Sequence, residues 1–165
     1  MKRTPRLLRS AQPNMLAPDI WGAGGRAMAE VHQSVELKAN ADQVWSLVGR
    51  FDGLAQWHPA FDSSQTQEVG GKSQRILMIA GGGKVTEQLE ALDDQNMSYS
   101  YIILDAPLPV EDYFSTISVR PLAEGCIVDW RGKFNAKGVT EEQAIQVIES
   151  VYITGLDALK KQFDS

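Results

Sequence analysis

Two charged residues stand where apolar ones are expected. Glu87 shares strand parity with Val85, Leu89 and Ala91, and Arg75 with Leu77 and Ile79. Residues two apart in a strand point to the same face, so both charges turn toward the side that the apolar residues bury. The run Gly81-Gly82-Gly83 lies between them. A hairpin centred on Gly81 sets Arg75 directly opposite Glu87, with Cβ atoms about 5 Å apart. A slip of one residue would turn Leu77, Ile79, Val85 and Leu89 to solvent, which argues against another register. In an apolar interior such a pair costs desolvation that its attraction does not repay, unless the interior is wet or holds a ligand. The pair therefore offers a polar anchor for a ligand, or proton transfer without a cofactor. A satisfied internal salt bridge with no chemical role is the competing reading.

Turns centred near residues 95 and 108 bring Ile103 beside Glu87 and Tyr113 beside Ile103, so one row across the sheet reads Arg75, Glu87, Ile103, Tyr113. Tyr101 and Trp130 take the same inward parity, and Tyr152 lies on the apolar face of the last helix. These rings, like Phe114, serve a core in the first instance and a pocket in the second. Trp57-His58-Pro59 falls in a segment that closes over one end of the interior. His58 titrates near neutrality, although a histidine exposed on a loop is the plainer reading. Cys126 reads as a small buried hydrophobe. Gly81-Gly82-Gly83-Lys84 joins strand to strand and lacks the GxxxxGK[ST] spacing, so it is not a phosphate loop.

The elements that must hold these residues follow from periodicity. Val31, Gln33, Val35 and Leu37 alternate with polar residues in a first strand. Asn40 and Gln43 form a capping-box pattern before a short helix through Val44, Trp45, Leu47 and Val48, and a second helical turn precedes Pro59. Strand patterns cover 61–69, 72–80, 84–92, 97–105, 110–121 and 126–136, separated by short turns. This spacing marks an antiparallel meander. Thr140 and Gln143 cap a helix whose Ile145, Ile148, Tyr152, Leu156, Leu159 and Phe163 make one apolar face. From 140 to 163 it would run about 36 Å. The expected fold is α+β, a curved antiparallel sheet wrapped around this helix.

Residues 1–28 differ from 29–165. They carry Lys2, Arg3, Arg6, Arg9 and Arg26 against Asp19, with scattered prolines and glycines and no sustained period. They read as a flexible or docking extension, with Leu16, Ile20 and Trp21 as its anchors. That segment carries +4 of a net charge of −5, so the remainder carries −9, which excludes nucleic acid as a partner of that domain. One cysteine and two distant histidines, His32 and His58, offer neither disulfide nor metal ligation. No apolar run reaches the ~20 residues of a membrane span. The expectation is a cytoplasmic domain without cofactor, which takes a small hydrophobic molecule as partner, with a homodimer as the candidate assembly.

Ala41-Asp42-Gln43-Val44-Trp45, Trp57-His58-Pro59, Arg75, Val85-Thr86-Glu87-Gln88-Leu89, Tyr99-Ser100-Tyr101, Asp112-Tyr113 and the final helix together resemble the polyketide cyclase/dehydrase branch of the START-like, helix-grip superfamily. The resemblance covers residues 29 to 163. It implies a cavity between sheet and C-terminal helix, bordered by Trp57, His58, Tyr101, Ile103, Trp130 and Tyr152. The spacing Arg75, Glu87, Tyr113 is also similar to that of the plant lachrymatory factor synthases, enzymes of sulfenic acid rearrangement. That similarity implies a catalytic set in which Arg75 holds an anionic or polarised oxygen, Glu87 moves a proton and Tyr113 orients the substrate. A binder, a cyclase, dehydratase or isomerase, and an interaction module with a filled interior are all compatible with this fold.

Overall fold

The computed structural model describes residues 27–165. In chain order these are β1 (Ala29–Leu37), α1 (Ala41–Val48), a 3-10 helix (Phe51–Gln56), β2 (Phe61–Val69), β3 (Lys72–Ile79), β4 (Lys84–Asp93), β5 (Ser98–Asp105), β6 (Val110–Pro121), β7 (Cys126–Ala136) and α2 (Glu141–Asp164). The strands form one seven-stranded antiparallel sheet in the order β1-β7-β6-β5-β4-β3-β2. The chain thus descends the sheet from β2 to β7, and β1 closes the far edge beside the last strand. This is the helix-grip fold, α+β, with its short helices after the first strand.

Both helix starts follow from side-chain chemistry. The Asn40 side chain accepts the Gln43 backbone N–H. Thr140 and Gln143 bond reciprocally in a capping box, satisfying donors that the first turn leaves open. The second short helix is of 3-10 type and ends at Trp57. Along α2, Ala144, Ile148, Tyr152, Gly155, Leu156 and Leu159 are buried against the sheet. Ile145 and Phe163, expected on that face, are only half-buried and border it.

Register sets the site. Arg75 pairs with Glu87 and Glu87 with Ile103. The β5–β6 ladder runs from Ser98↔Ser118 to Ile102↔Phe114 and stops there, one step short of Ile103 and Tyr113. Two bulges alter the alternation that the sequence suggests. Between Leu89 and Ala91 the pairing shifts by a residue, so Ala91, expected inward, is exposed. In β6 a shift between Glu111 and Phe114 centres on Asp112, which has φ 54°. That bulge lets Val110 and Tyr113 both face the core despite their odd separation; Phe114 is not core but, alternating with inward Tyr113 and Ser115, lies on the outer face, 44% exposed.

Candidate functional site

Aromatic rings and hydroxyls cluster in the interior beside its branched aliphatics. Tyr99 and Tyr101 come from β5, Tyr113 and Ser115 from β6, Trp130 from β7 and Tyr152 from α2, and all are buried. Tyr152 stacks on Trp130 at 4.4 Å between ring centroids. Two glycines make room for this. A Cβ on Gly132, within β7, would collide with the Tyr152 hydroxyl. A Cβ on Gly155, within α2, would lie 2.5 Å from His58 Cδ2 and 3.0 Å from Trp130 Cζ3.

Arg75 is wholly buried, and its Nε donates to Glu87 Oε1 at 2.7 Å. One terminal nitrogen donates to the Phe51 carbonyl at 3.0 Å and to the Tyr99 hydroxyl at 3.1 Å. The guanidinium lies 4.2 Å from the Phe51 ring centre and 4.8 Å from that of Tyr101, within cation–π range. Nη2 has no partner among the described residues. Burial works against the Arg75 charge, but the oxygens of Tyr99, Glu87 and Tyr101 outweigh it and hold the guanidinium above its ordinary value. For Glu87 the balance falls the other way. Burial raises its pKa, and the attraction and hydrogen bond of Arg75 offset this only in part. Removing either partner strands the other charge in the core, at about 3–5 kcal/mol.

The second Glu87 oxygen has no hydrogen bond among the described residues. Glu87 borders a cavity of about 110 Å³, together with Tyr101, Ile103, Tyr113 and Trp130. Leu54, Phe61, Val85, Ile148 and Val151 supply much of its apolar wall. Arg75, Trp57, His58 and Tyr152 do not border it and form a layer behind. Four of the interior hydroxyls, those of Tyr101, Tyr113, Tyr152 and Ser115, are joined. Tyr101 and Tyr113 hydroxyls are 3.3 Å apart, Tyr113 and Tyr152 2.5 Å, and Tyr152 and Ser115 3.0 Å. Trp130 Nε1 donates to both Tyr101 and Ser115 at 3.1 Å. Burial pushes the phenols of Tyr101, Tyr113 and Tyr152 upward, so all three stay neutral.

His58 is buried, not exposed on its loop. The reason is a pair of bonds. Its Nε2 lies 2.8 Å from the Val151 carbonyl, which can only accept, and the Ala60 N–H donates to Nδ1 at 3.2 Å. Both contacts hold only for the neutral ring with its proton on Nε2. Burial lowers the His58 pKa below its ordinary value; the Val151 carbonyl opposes this and the Arg75 charge adds to it. His58 thus pins the segment before β2 to α2.

Residues 28–164 match the family described as polyketide cyclase / dehydrase and lipid transport. The chain belongs to that family. Among solved structures, it is similar to the Bacillus cereus protein XoxI, at 37% identity and TM-score 0.79, covering 82% of this chain and 96% of that one. A START superfamily protein from Mycobacterium smegmatis, 16% identical over 82% of this chain and 97% of its own, shares the fold at TM-score 0.69. The Arabidopsis thaliana MLP-like protein 423 is 29% identical over 117 residues, 63% of this chain and 74% of that protein. The expected extension anchors Leu16, Ile20 and Trp21 lie outside the described residues. Among the described residues no group of three metal-binding side chains occurs, and no helix is long and apolar enough to cross a membrane.

Sequence reasoning missed Tyr99, Ser115, Gly132 and Gly155 as parts of the site. Tyr99 and Ser115 have inward parity, as Tyr101 and Tyr113 do. The glycines carried a signal of their own: a glycine inside a strand or helix marks a close approach.

Proposed function

We propose that this protein binds a small, largely apolar molecule in the cavity between the sheet and α2, with a polar end against Glu87 and Tyr113. One observation carries this reading: a buried carboxylate keeps one oxygen unpartnered at the wall of an otherwise apolar cavity. That oxygen is reachable from the cavity, and a ligand hydroxyl or N–H there would make a charge-assisted hydrogen bond with it. Size narrows the class. Pockets for drug-sized ligands run to about 300–1,000 Å³, whereas an engineered apolar cavity of about 150 Å³ holds benzene. At about 110 Å³ the space suits a molecule of benzene size or less, and a lipid would need the sheet and helix to part.

A second reading, cofactor-free proton transfer, is favoured by the raised pKa of Glu87, which poises it as a base nearer neutrality. The cyclase and dehydrase chemistry in the family's description supports it, as would the resemblance of the Arg75, Glu87, Tyr113 spacing to lachrymatory factor synthases. In this reading Glu87 moves the proton and Tyr113 orients the substrate. Arg75 acts through Glu87 as a positioning residue, since it does not border the cavity. Native mass spectrometry of freshly purified protein tests the binding reading: one small organic molecule per chain is expected, and bare protein, with no retention of added benzene-sized compounds, would contradict it. Glu87→Gln keeps the shape and should spare binding while abolishing any turnover. Turnover that survives in that variant would remove the proton-transfer reading alone.

A further inference from the structure

The cavity admits a narrower class of ligand than its size and apolar wall require. Resting on the binding reading above, we infer that its ligand must donate a hydrogen bond, through a hydroxyl or N–H on a small apolar frame, and that acceptor-only and anionic molecules are rejected.

The direction of the internal hydrogen bonds is fixed from one end. The Arg131 carbonyl can only accept, so the Ser115 hydroxyl hydrogen goes to it, at 3.0 Å. Ser115 Oγ then has only lone pairs for Tyr152, so Tyr152 donates to Ser115. Its one hydrogen spent, Tyr152 accepts from Tyr113, and Tyr113 in turn accepts from Tyr101. Trp130 Nε1 can only donate, and it does so to Tyr101 and Ser115. This is the one assignment in which every contact in the chain is a hydrogen bond. It commits each side-chain hydrogen of Tyr101, Tyr113 and Trp130 to a partner within the protein.

Among side chains at the cavity wall, only acceptors are left over. They are phenol lone pairs of Tyr101 and Tyr113 and the second oxygen of Glu87. Arg75, the nearby cation, is wholly buried behind this wall and does not border the cavity. A ligand carbonyl placed here would meet lone pairs and a carboxylate, and a ligand carboxylate would meet like charge. A hydroxyl would give Glu87 its missing bond. Sites built around a buried polar group discriminate strongly against ligands that leave it unpaired.

Three molecules on one five-membered ring test this by calorimetry on the full chain, on the alkaline side of neutrality: cyclopentanol, cyclopentanone and cyclopentanecarboxylate. Cyclopentanol should bind at least about 10-fold more tightly than cyclopentanone, with no binding of the carboxylate. Glu87→Gln can present either an amide oxygen or an amide N–H, so it should bring the ketone up toward the alcohol. Ketone or carboxylate binding as well as the alcohol to the native protein would overturn the inference and leave the binding reading intact. Failure of all three to bind would overturn both. The native comparison decides the matter even if Glu87→Gln does not fold.

Discussion

At the scale of residues, the interior depends on which polar groups find partners when water is removed. Arg75 keeps its charge because three acceptors and several ring faces surround it, while Glu87 keeps one bond and one free oxygen. His58 is the complementary case, a titratable ring held neutral by two bonds that fix its tautomer. Its lowered pKa has a definite sign in stability. The unfolded chain takes up a proton at the ordinary value of 6.5, while the folded ring resists it. The stability that neutral His58 contributes is therefore complete above pH 6.5 and is lost as pH falls below it, toward the folded value. Melting temperature followed against pH should show this decline in the native protein and a weaker decline in His58→Gln. An equal decline in both would contradict the role.

At the scale of elements, glycines and bulges do what regular alternation cannot. Gly155→Ala should gain helix propensity, about 1 kcal/mol. It should lose more by driving a methyl into His58 and Trp130, since overpacking a filled core costs about 1–3 kcal/mol. Urea unfolding should show net destabilisation, and a more stable variant would mean that the rings yield freely. The same features mark how far the sequence could be read. The antiparallel meander, the capped α2 and the Arg75–Glu87–Ile103 row follow from alternation and turn spacing, because those depend on local periods. Ala91 and His58 do not follow. A bulge inserts one residue without changing composition, and the burial of His58 depends on a carbonyl far along the chain. The cavity itself is a remainder left by side-chain packing, which periodicity cannot give.

At the scale of the whole molecule, residues 29–165 are proposed to form a domain that needs nothing from the basic segment before it. A chain starting at Met28 should keep the melting temperature and oligomeric state of the full chain. A large loss of either would show that Leu16, Ile20 or Trp21 docks on the domain or on a second copy. The central claim is that this domain works through its interior and not through its surface. Methyl and carboxyl NMR of the full chain, titrated with neutral compounds of benzene size that carry a hydroxyl, tests it most directly. Saturable shifts of the Val85, Ile103, Ile148 and Val151 methyls and of the Glu87 carboxyl are the predicted result. Shifts confined to exposed side chains such as Ile153 and Phe114, with the interior silent, would contradict it.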